Sequence, residues 1–275
     1  MMEEFLKNIV MGLVQGFSEF LPISSSGHLV LFSDWLDVKE VNNTQLLLSV
    51  VVHLGTLAAV LVYFREDVKK MISRLPAIPE FVRNGLKVQN EEDEQTAMIW
   101  YIFIGSIPAA IIGFTFKDQL EELFTSKNAV ILALTINALV LWSSRYAKEK
   151  SLKMNALFAV LIGCAQAMAI VPGISRSGMT IVFALWLGIT RSASASFSFL
   201  LSIPVILGAS LLELKDVGLG QLTSGQMLNF SGACLTAALS GYFAIRLIHT
   251  IIQKQKFEYF AVYCLAVSAT SFVML

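Results

Sequence analysis

The sequence is short of charge and of the side chains that build metal or disulfide frameworks. Charged residues make up 15% of its 275 positions against 56% hydrophobic ones, and mean hydropathy is +0.69. A soluble domain carries about 25% charged residues, so this scarcity argues against a water-soluble globule. Twenty basic residues balance twenty acidic ones, which leaves no basic surplus to recruit nucleic acid. Only three cysteines occur, Cys164, Cys234 and Cys264, each within apolar sequence. None forms a CxxC or Cys/His spacing, so a zinc site or disulfide framework is not expected. The start, Met1-Met2-Glu3-Glu4, is acidic, and no cleavage site closes the apolar run after it. A cleaved signal peptide is not expected either.

What the chain has instead is apolar length. A spanning helix needs about 20 mostly apolar residues. Six stretches meet that test: 45–64, 97–116, 127–146, 194–213, 227–248 and 257–275. Two further regions, 5–36 and 154–190, are broken near their midpoints by Pro, Gly and Ser. Each half is too short to cross, so both regions are read as re-entrant helix–loop–helix hairpins, with their breaks buried in protein or lining a cavity. The expected fold is all-α and integral to the membrane: six transmembrane helices and two re-entrant hairpins in one domain, 1–275.

Basic residues orient the spans. Arg65, Lys69, Lys70, Arg74, Arg83 and Lys87 lie in loop 65–96, Arg145, Lys148, Lys150 and Lys153 in 145–153, and Arg246, Lys254 and Lys256 in 246–256. The alternate loops hold only Lys117, Lys127 and Lys215. The positive-inside rule makes the first set cytoplasmic, with both termini outside, and sends the two hairpins in from opposite faces.

The broken regions also resemble one another. Superposing Gly12 on Gly163 pairs Gln15 with Gln166, Ile23 with Ile174, Ser24 with Ser175, Ser26 with Ser177 and Gly27 with Gly178; it also pairs Phe32 with Phe183, Trp35 with Trp186 and Leu36 with Leu187. So many coincidences argue for duplication, with one repeat over about 5–147 and the other over about 154–275. An odd number of spans per copy inverts the second, and inverted repeats place binding sites where their discontinuous helices meet. The polar segment 74–96 has no counterpart and reads as a solvated cytoplasmic insertion.

Helices beginning at Gly27 and Gly178 would turn unpaired N–H groups and positive dipole ends toward the breaks, which suits phosphate. Tight helix packing by small residues is the plain alternative. Arg176, in place of Ser25 in the second copy, is costly at membrane depth unless partnered. Its planar fork can grip phosphate oxygens or form a structural ion pair with Glu19. Gln15 and Glu19 share a helix face. A carboxylate beside a phosphate site is a candidate ligand for a bridging divalent cation, Mg2+ or Ca2+, with Gln15 beside it, or a general base. His28 follows Ser24-Ser25-Ser26-Gly27 at a helix start and is placed for proton transfer. His53 could line the same cavity, and His249 reads as structural.

Gln15-x-x-x-Glu19, Pro22-Ile23-Ser24-Ser25-Ser26-Gly27-His28 and Pro172-Gly173-Ile174-Ser175-Arg176-Ser177-Gly178-Met179-Thr180 resemble the signatures of the undecaprenyl-diphosphate phosphatase family of the bacitracin-resistance type. Gly105-Ser106-Ile107-Pro108-Ala109 and the stretch from Phe197 to Pro204 are similar to further segments of it. Gln15 stands where the family pattern allows Glu or Gln. The type 2 phosphatidic acid phosphatases share Ser-Gly-His but need a second histidine and an aspartate that this sequence does not supply at the right spacing.

The resemblance implies a plasma-membrane enzyme of bacteria that removes the terminal phosphate of undecaprenyl diphosphate from a site open to the outer face. It implies catalytic roles for Glu19, Ser25, His28 and Arg176, with Ser25 or water as nucleophile. Gln15, Ser24, Ser26, Gly27, Gly173, Ser175, Ser177, Gly178 and Thr180 would bind substrate. Partners are the lipid, the membrane and, as an open alternative, a second copy in a homodimer. The rival reading is a lipid or anion transporter using the same inverted-repeat phosphate site.

Overall fold

A computed structural model describes residues 2–36, 44–216, 223–254 and 256–274. Among these the protein is helical, with thirteen α-helices and no strand. In order they are α1 (Met2–Phe20), α2 (Ser25–Trp35), α3 (Thr44–Tyr63), α4 (Arg65–Arg74), α5 (Ile78–Arg83), α6 (Glu91–Thr115) and α7 (Lys117–Thr125). After these come α8 (Lys127–Ser143), α9 (Ala156–Met168), α10 (Arg176–Trp186), α11 (Arg191–Asp216), α12 (Ser224–Gln253) and α13 (Tyr259–Met274). Five of them, α3, α6, α8, α11 and α12, are long and apolar enough to cross a membrane. The sixth expected span, 257–275, contains α13, an apolar helix of 16 residues; its last position, Leu275, lies outside the described residues.

Both predicted breaks are present. Helix α1 ends at Phe20 and α2 starts at Ser25, while α9 ends at Met168 and α10 starts at Arg176. Corresponding residues do the same work in each. Ser24 Oγ accepts from Gly27 N and Ser175 Oγ from Gly178 N, the usual N-cap role of serine. Hydroxyl pairs Ser24–Ser26 and Ser175–Ser177 lie at 3.2 and 3.1 Å. One turn from each helix end, Phe32 packs on Trp35 and Phe183 on Trp186, with centroids 5.1 and 4.9 Å apart. Both tryptophans are exposed, as suits a ring at a membrane boundary.

Packing crosses between the halves. Helix α1 lies along α12 and α9 along α6; α3 contacts both α12 and α11, and α8 packs on α13. Glycine permits the closest of these approaches. A Cβ on Gly16 would lie 2.5 Å from Ala237 O, and one on Gly12 would lie 2.4 Å from Ala233 O. Its counterpart Gly163 would be 2.3 Å from Gly105 O. Without a hydrophobic drive between helices in lipid, such backbone contact is what holds them. The largest buried cluster includes Phe20, Phe64, Ile181, Leu185, Phe199, Ile245 and Ile248; Phe20 meets Phe199 edge-on at 5.7 Å, just below the first break.

Charged loops gather at two ends. Lys153 pairs with Glu94 at 2.6 Å, Arg74 with Glu92 and Arg191 with Glu149, so segments 65–96 and 145–153 share one end. Lys127 pairs with Asp34 at 2.7 Å at the start of α8. The 74–96 segment holds the short helix α5 and the acidic start of α6, capped by Asn90.

Gly16→Ala and Gly163→Ala should each destabilise the protein by about 1–3 kcal/mol through forced separation of α1 from α12 or α9 from α6. Gly208, with no atom near its missing Cβ, is the control. Gly208→Ala should be neutral or stabilising by up to about 1 kcal/mol, as read by thermal unfolding in detergent.

Candidate active site

The two breaks touch. A Cβ on Gly27 would lie 3.1 Å from Gly173 Cα, and one on Gly178 would lie 3.3 Å from Pro22 Cβ. Gly173, with φ +100°, turns the second break beneath Val130 and Ala133 of α8. Ser177 Oγ donates to Leu21 O at 3.2 Å, joining the second helix start to the first break. The touching breaks therefore bring the starts of α2 and α10 near one another.

Glu19 lies at the centre. Its Oε1 accepts from Arg176 Nη2 at 2.6 Å. Its Oε2 accepts from Ser25 Oγ at 2.6 Å and from Gln15 Nε2 at 3.0 Å. The carboxylate is buried and the Arg176 side chain only 13% exposed, so each charge needs the other. Arg176 Nη1 donates to Ser198 O at 3.2 Å. An arginine has five N–H donors, and those left over have no protein acceptor among the described residues. Ser25 and Ser26 are half-buried, which leaves this face approachable.

The backbone before Ser25 is strained. Ser24 has φ 71° and ψ 98°, whereas its counterpart Ser175 has φ −80° and ψ 121°. Positive φ on a non-glycine residue is a strain found at functional sites.

The structure brings Gln15, Glu19, Ser25 and Arg176 together, while Thr180 and His28 form hydrogen bonds elsewhere. Helices start at Ser25 and Arg176, not at Gly27 and Gly178, because Ser24 and Ser175 are the caps. The Gly27 and Gly178 N–H groups are thereby used, leaving those of Ser25, Ser26, Arg176 and Ser177 for a ligand. Thr180 is fully buried; its hydroxyl lies 2.6 Å from Ser198 Oγ and donates to Arg176 O at 2.9 Å, so it braces α10 against α11. His28 Nδ1 donates to Ser24 O at 2.8 Å, and Nε2 accepts from Tyr263 OH at 2.9 Å. No hydrogen bond joins the ring to Ser25, Glu19 or Arg176. His249 stacks beside Tyr63, consistent with a structural role.

Three residues had no assigned role in the sequence reading. Ser198 touches both Arg176 and Thr180. Asn137, on α8, bonds to both breaks; its signal was an amide within an apolar span. Gln166, the counterpart of Gln15, is buried, and like Gln15 it leaves Oε1 unpaired.

A divalent cation fits this donor set. Gln15 Oε1 is a buried hard oxygen with no partner beside Glu19. A carboxylate has about four acceptor sites, and Glu19 uses three. No group of three His, Cys, Asp or Glu stands ready among the described residues, so substrate oxygens would complete the coordination.

A sequence profile described as "Bacitracin resistance protein BacA" matches residues 8–270. The chain is 43% identical to an undecaprenyl-diphosphatase of Halothermothrix orenii, covering 95% of this chain and 94% of the relative. It is 40% identical to one of Elusimicrobium minutum, covering 94% and 93%. A third, of Moorella thermoacetica, is 38% identical with 96% and 95% covered. A match over residues 8–270 and relatives this similar along nearly their whole length show that the chain belongs to the bacitracin resistance protein BacA family.

Proposed function

We propose that this protein is an undecaprenyl-diphosphatase, hydrolysing undecaprenyl diphosphate to undecaprenyl phosphate and inorganic phosphate, and so returning a lipid carrier to cell-wall synthesis. The observation that carries the reading is the Ser25–Glu19–Arg176 chain of 2.6 Å contacts at two helix N-termini. A transporter would need the phosphate cradle but has no use for a serine hydroxyl bonded to a carboxylate.

Ser25 Oγ attacks the terminal phosphorus while its proton passes to Glu19 Oε2. The bond to the bridging oxygen breaks, and the lipid monophosphate leaves. Glu19 hands that proton to the departing monophosphate; water then displaces phosphate from Ser25, Glu19 taking the water's proton and returning it to Ser25 Oγ as the serine–phosphate bond breaks. Phosphoryl transfer depends on positioning and charge neutralisation. The free N–H groups of Arg176 and the open N–H groups of Ser25, Ser26, Arg176 and Ser177 supply both. A divalent cation held at Gln15 Oε1 and Glu19 would add charge neutralisation. His28 holds the carbonyl of strained Ser24 and so fixes the backbone preceding the nucleophile.

The membrane placement is inferred along with the chemistry. Helices α3, α6, α8, α11, α12 and α13 form six spans, and α1–α2 and α9–α10 form inverted re-entrant pairs. Matched caps, matched Phe–Trp pairs and the equivalent Gly12 and Gly163 contacts support the duplication. The basic loops collected at one end support a cytoplasmic side there, placing both termini outside and opening the site toward the outer face of a bacterial plasma membrane.

Arg176→Ala should lower kcat/KM for undecaprenyl diphosphate by on the order of 10³-fold or more, and Arg176→Lys should not restore it fully. Glu19→Gln should lower turnover by roughly 10²–10⁴-fold. Near-normal phosphate release by either alanine or glutamine variant in detergent would overturn the assignment. Acid quenching should trap a phosphoserine at position 25 that is absent from Ser25→Ala; its absence from wild type during turnover would make water the nucleophile. Chelation should lower turnover, Mg2+ or Ca2+ should restore it, and Gln15→Leu should raise the metal concentration needed.

A further inference from the structure

We infer that Asn137 is a positioning residue for the reaction: a single amide that sets the spacing of the two breaks and, through it, the alignment of Arg176 with Ser25. Asn137 is fully buried in the middle of α8. Its Nδ2 donates to Pro22 O at 3.0 Å, and its Oδ1 accepts from Ser175 N at 3.0 Å. Pro22 lies between Glu19 and Ser25, beyond the end of α1, and Ser175 is the cap of α10. Neither backbone group has a helical partner, and in an apolar surrounding each must find one. One side chain satisfies both, although the two groups are far apart in sequence and belong to different halves.

The consequences reach the site through short covalent paths. Ser175 precedes Arg176, so the bond to Asn137 fixes the backbone from which that guanidinium extends to Glu19. Pro22 is three residues from both Glu19 and Ser25, so the other bond fixes the turn that brings them together. Besides the Ser177–Leu21 hydrogen bond and the Glu19–Arg176 pair, the breaks touch through Gly27 on Gly173 and Gly178 on Pro22, contacts with little side-chain volume to resist sliding. The pin holds the two breaks at different points: the second at its cap, Ser175, in relaxed backbone, and the first at Pro22, two residues before Ser24 with its strained φ of 71°.

Leucine at 137 would fill similar space with neither bond. Aspartic acid, while protonated, would both donate and accept; ionised, it would set negative charge against Pro22 O. Cys264, 3.5 Å from Nδ2, is a titratable side chain in contact with this amide, and the charged Arg176 follows Ser175, whose N–H the amide oxygen accepts.

The inference rests on the proposed roles of Ser25, Glu19 and Arg176, so Arg176→Ala is measured alongside. Asn137→Leu should lower kcat by about 10²-fold, as expected for a displacement near 1 Å at a reacting centre, with KM changed no more than about threefold. Combined with Arg176→Lys, it should add little further loss, because both act through the same guanidinium. Asn137→Asp should retain turnover relative to wild type at low pH and lose it as the new carboxyl ionises. This variant carries the test if Asn137→Leu fails to fold.

Turnover of folded Asn137→Leu within about twofold of wild type would overturn the inference, as would losses that simply multiply with Arg176→Lys. So would an Asn137→Asp variant as inactive at low pH as Asn137→Leu. If Arg176→Ala itself retains turnover, the proposed reaction site has failed rather than the pin.

Discussion

The Glu19–Arg176 ion pair is the constraint from which the rest of this architecture follows. Removing either charge from water is costly, and a lone charge at membrane depth costs several kcal/mol. The pair is tolerable only if both side chains are supplied from protein, at 2.6 Å, and well bonded elsewhere. Glu19 closes α1 and Arg176 opens α10, so the pair requires both helices to end inside the molecule. Each break then exposes backbone groups that need partners, which Ser24, Ser175, Ser177 and Asn137 provide. The surrounding glycines let the unsupported chain come close enough for those bonds to form.

Within that frame, like sequences have diverged in use. Both breaks keep a serine cap, a paired hydroxyl and a Phe–Trp contact at the far end of the helix. These shared features build a helix start, and none of them needs a substrate. The residues between them differ: Ser25 faces Arg176 as its counterpart, and Glu19 stands where the second copy has Ile170. The strain at Ser24 has also been kept on one side. The two breaks share the bonds that support a helix start and differ in the residues proposed for chemistry.

That division explains which parts could be read in advance. Apolar length, interruption by Pro, Gly and Ser, and the paired motifs are local, and they located the helices, the breaks and the family. Helix starts were misplaced by two residues because glycine was weighed ahead of serine, although serine is the stronger N-cap. The role of Thr180 depended on Ser198, and that of His28 on Tyr263 from α13. Asn137 was passed over as part of a span. The bonds of Thr180, His28 and Asn137 turn on partners distant in sequence, where local pattern carries no information. Helix α13 has 16 residues, about 24 Å of helix, and so is shorter than the roughly 20 residues that its apolar stretch in the sequence offers for a span.

An arginine bound to a carboxylate still has donors to spare, so the geometry makes the ion pair compatible with the proposed phosphate-binding role. Arg176 gives one N–H to Glu19 and one to Ser198 O, which orients the guanidinium and leaves its other donors free. The pair has no net charge, so the arginine alone cannot neutralise an incoming diphosphate. The deficit falls to the open N–H groups of two helix starts and to any cation beside Gln15 Oε1. Glu19 can meanwhile keep its hydrogen bond to Ser25, since Arg176 occupies the other carboxylate oxygen. With the proposed base, nucleophile and phosphate donors ordered around one ion pair, binding need not dismantle the pair to begin the proposed reaction.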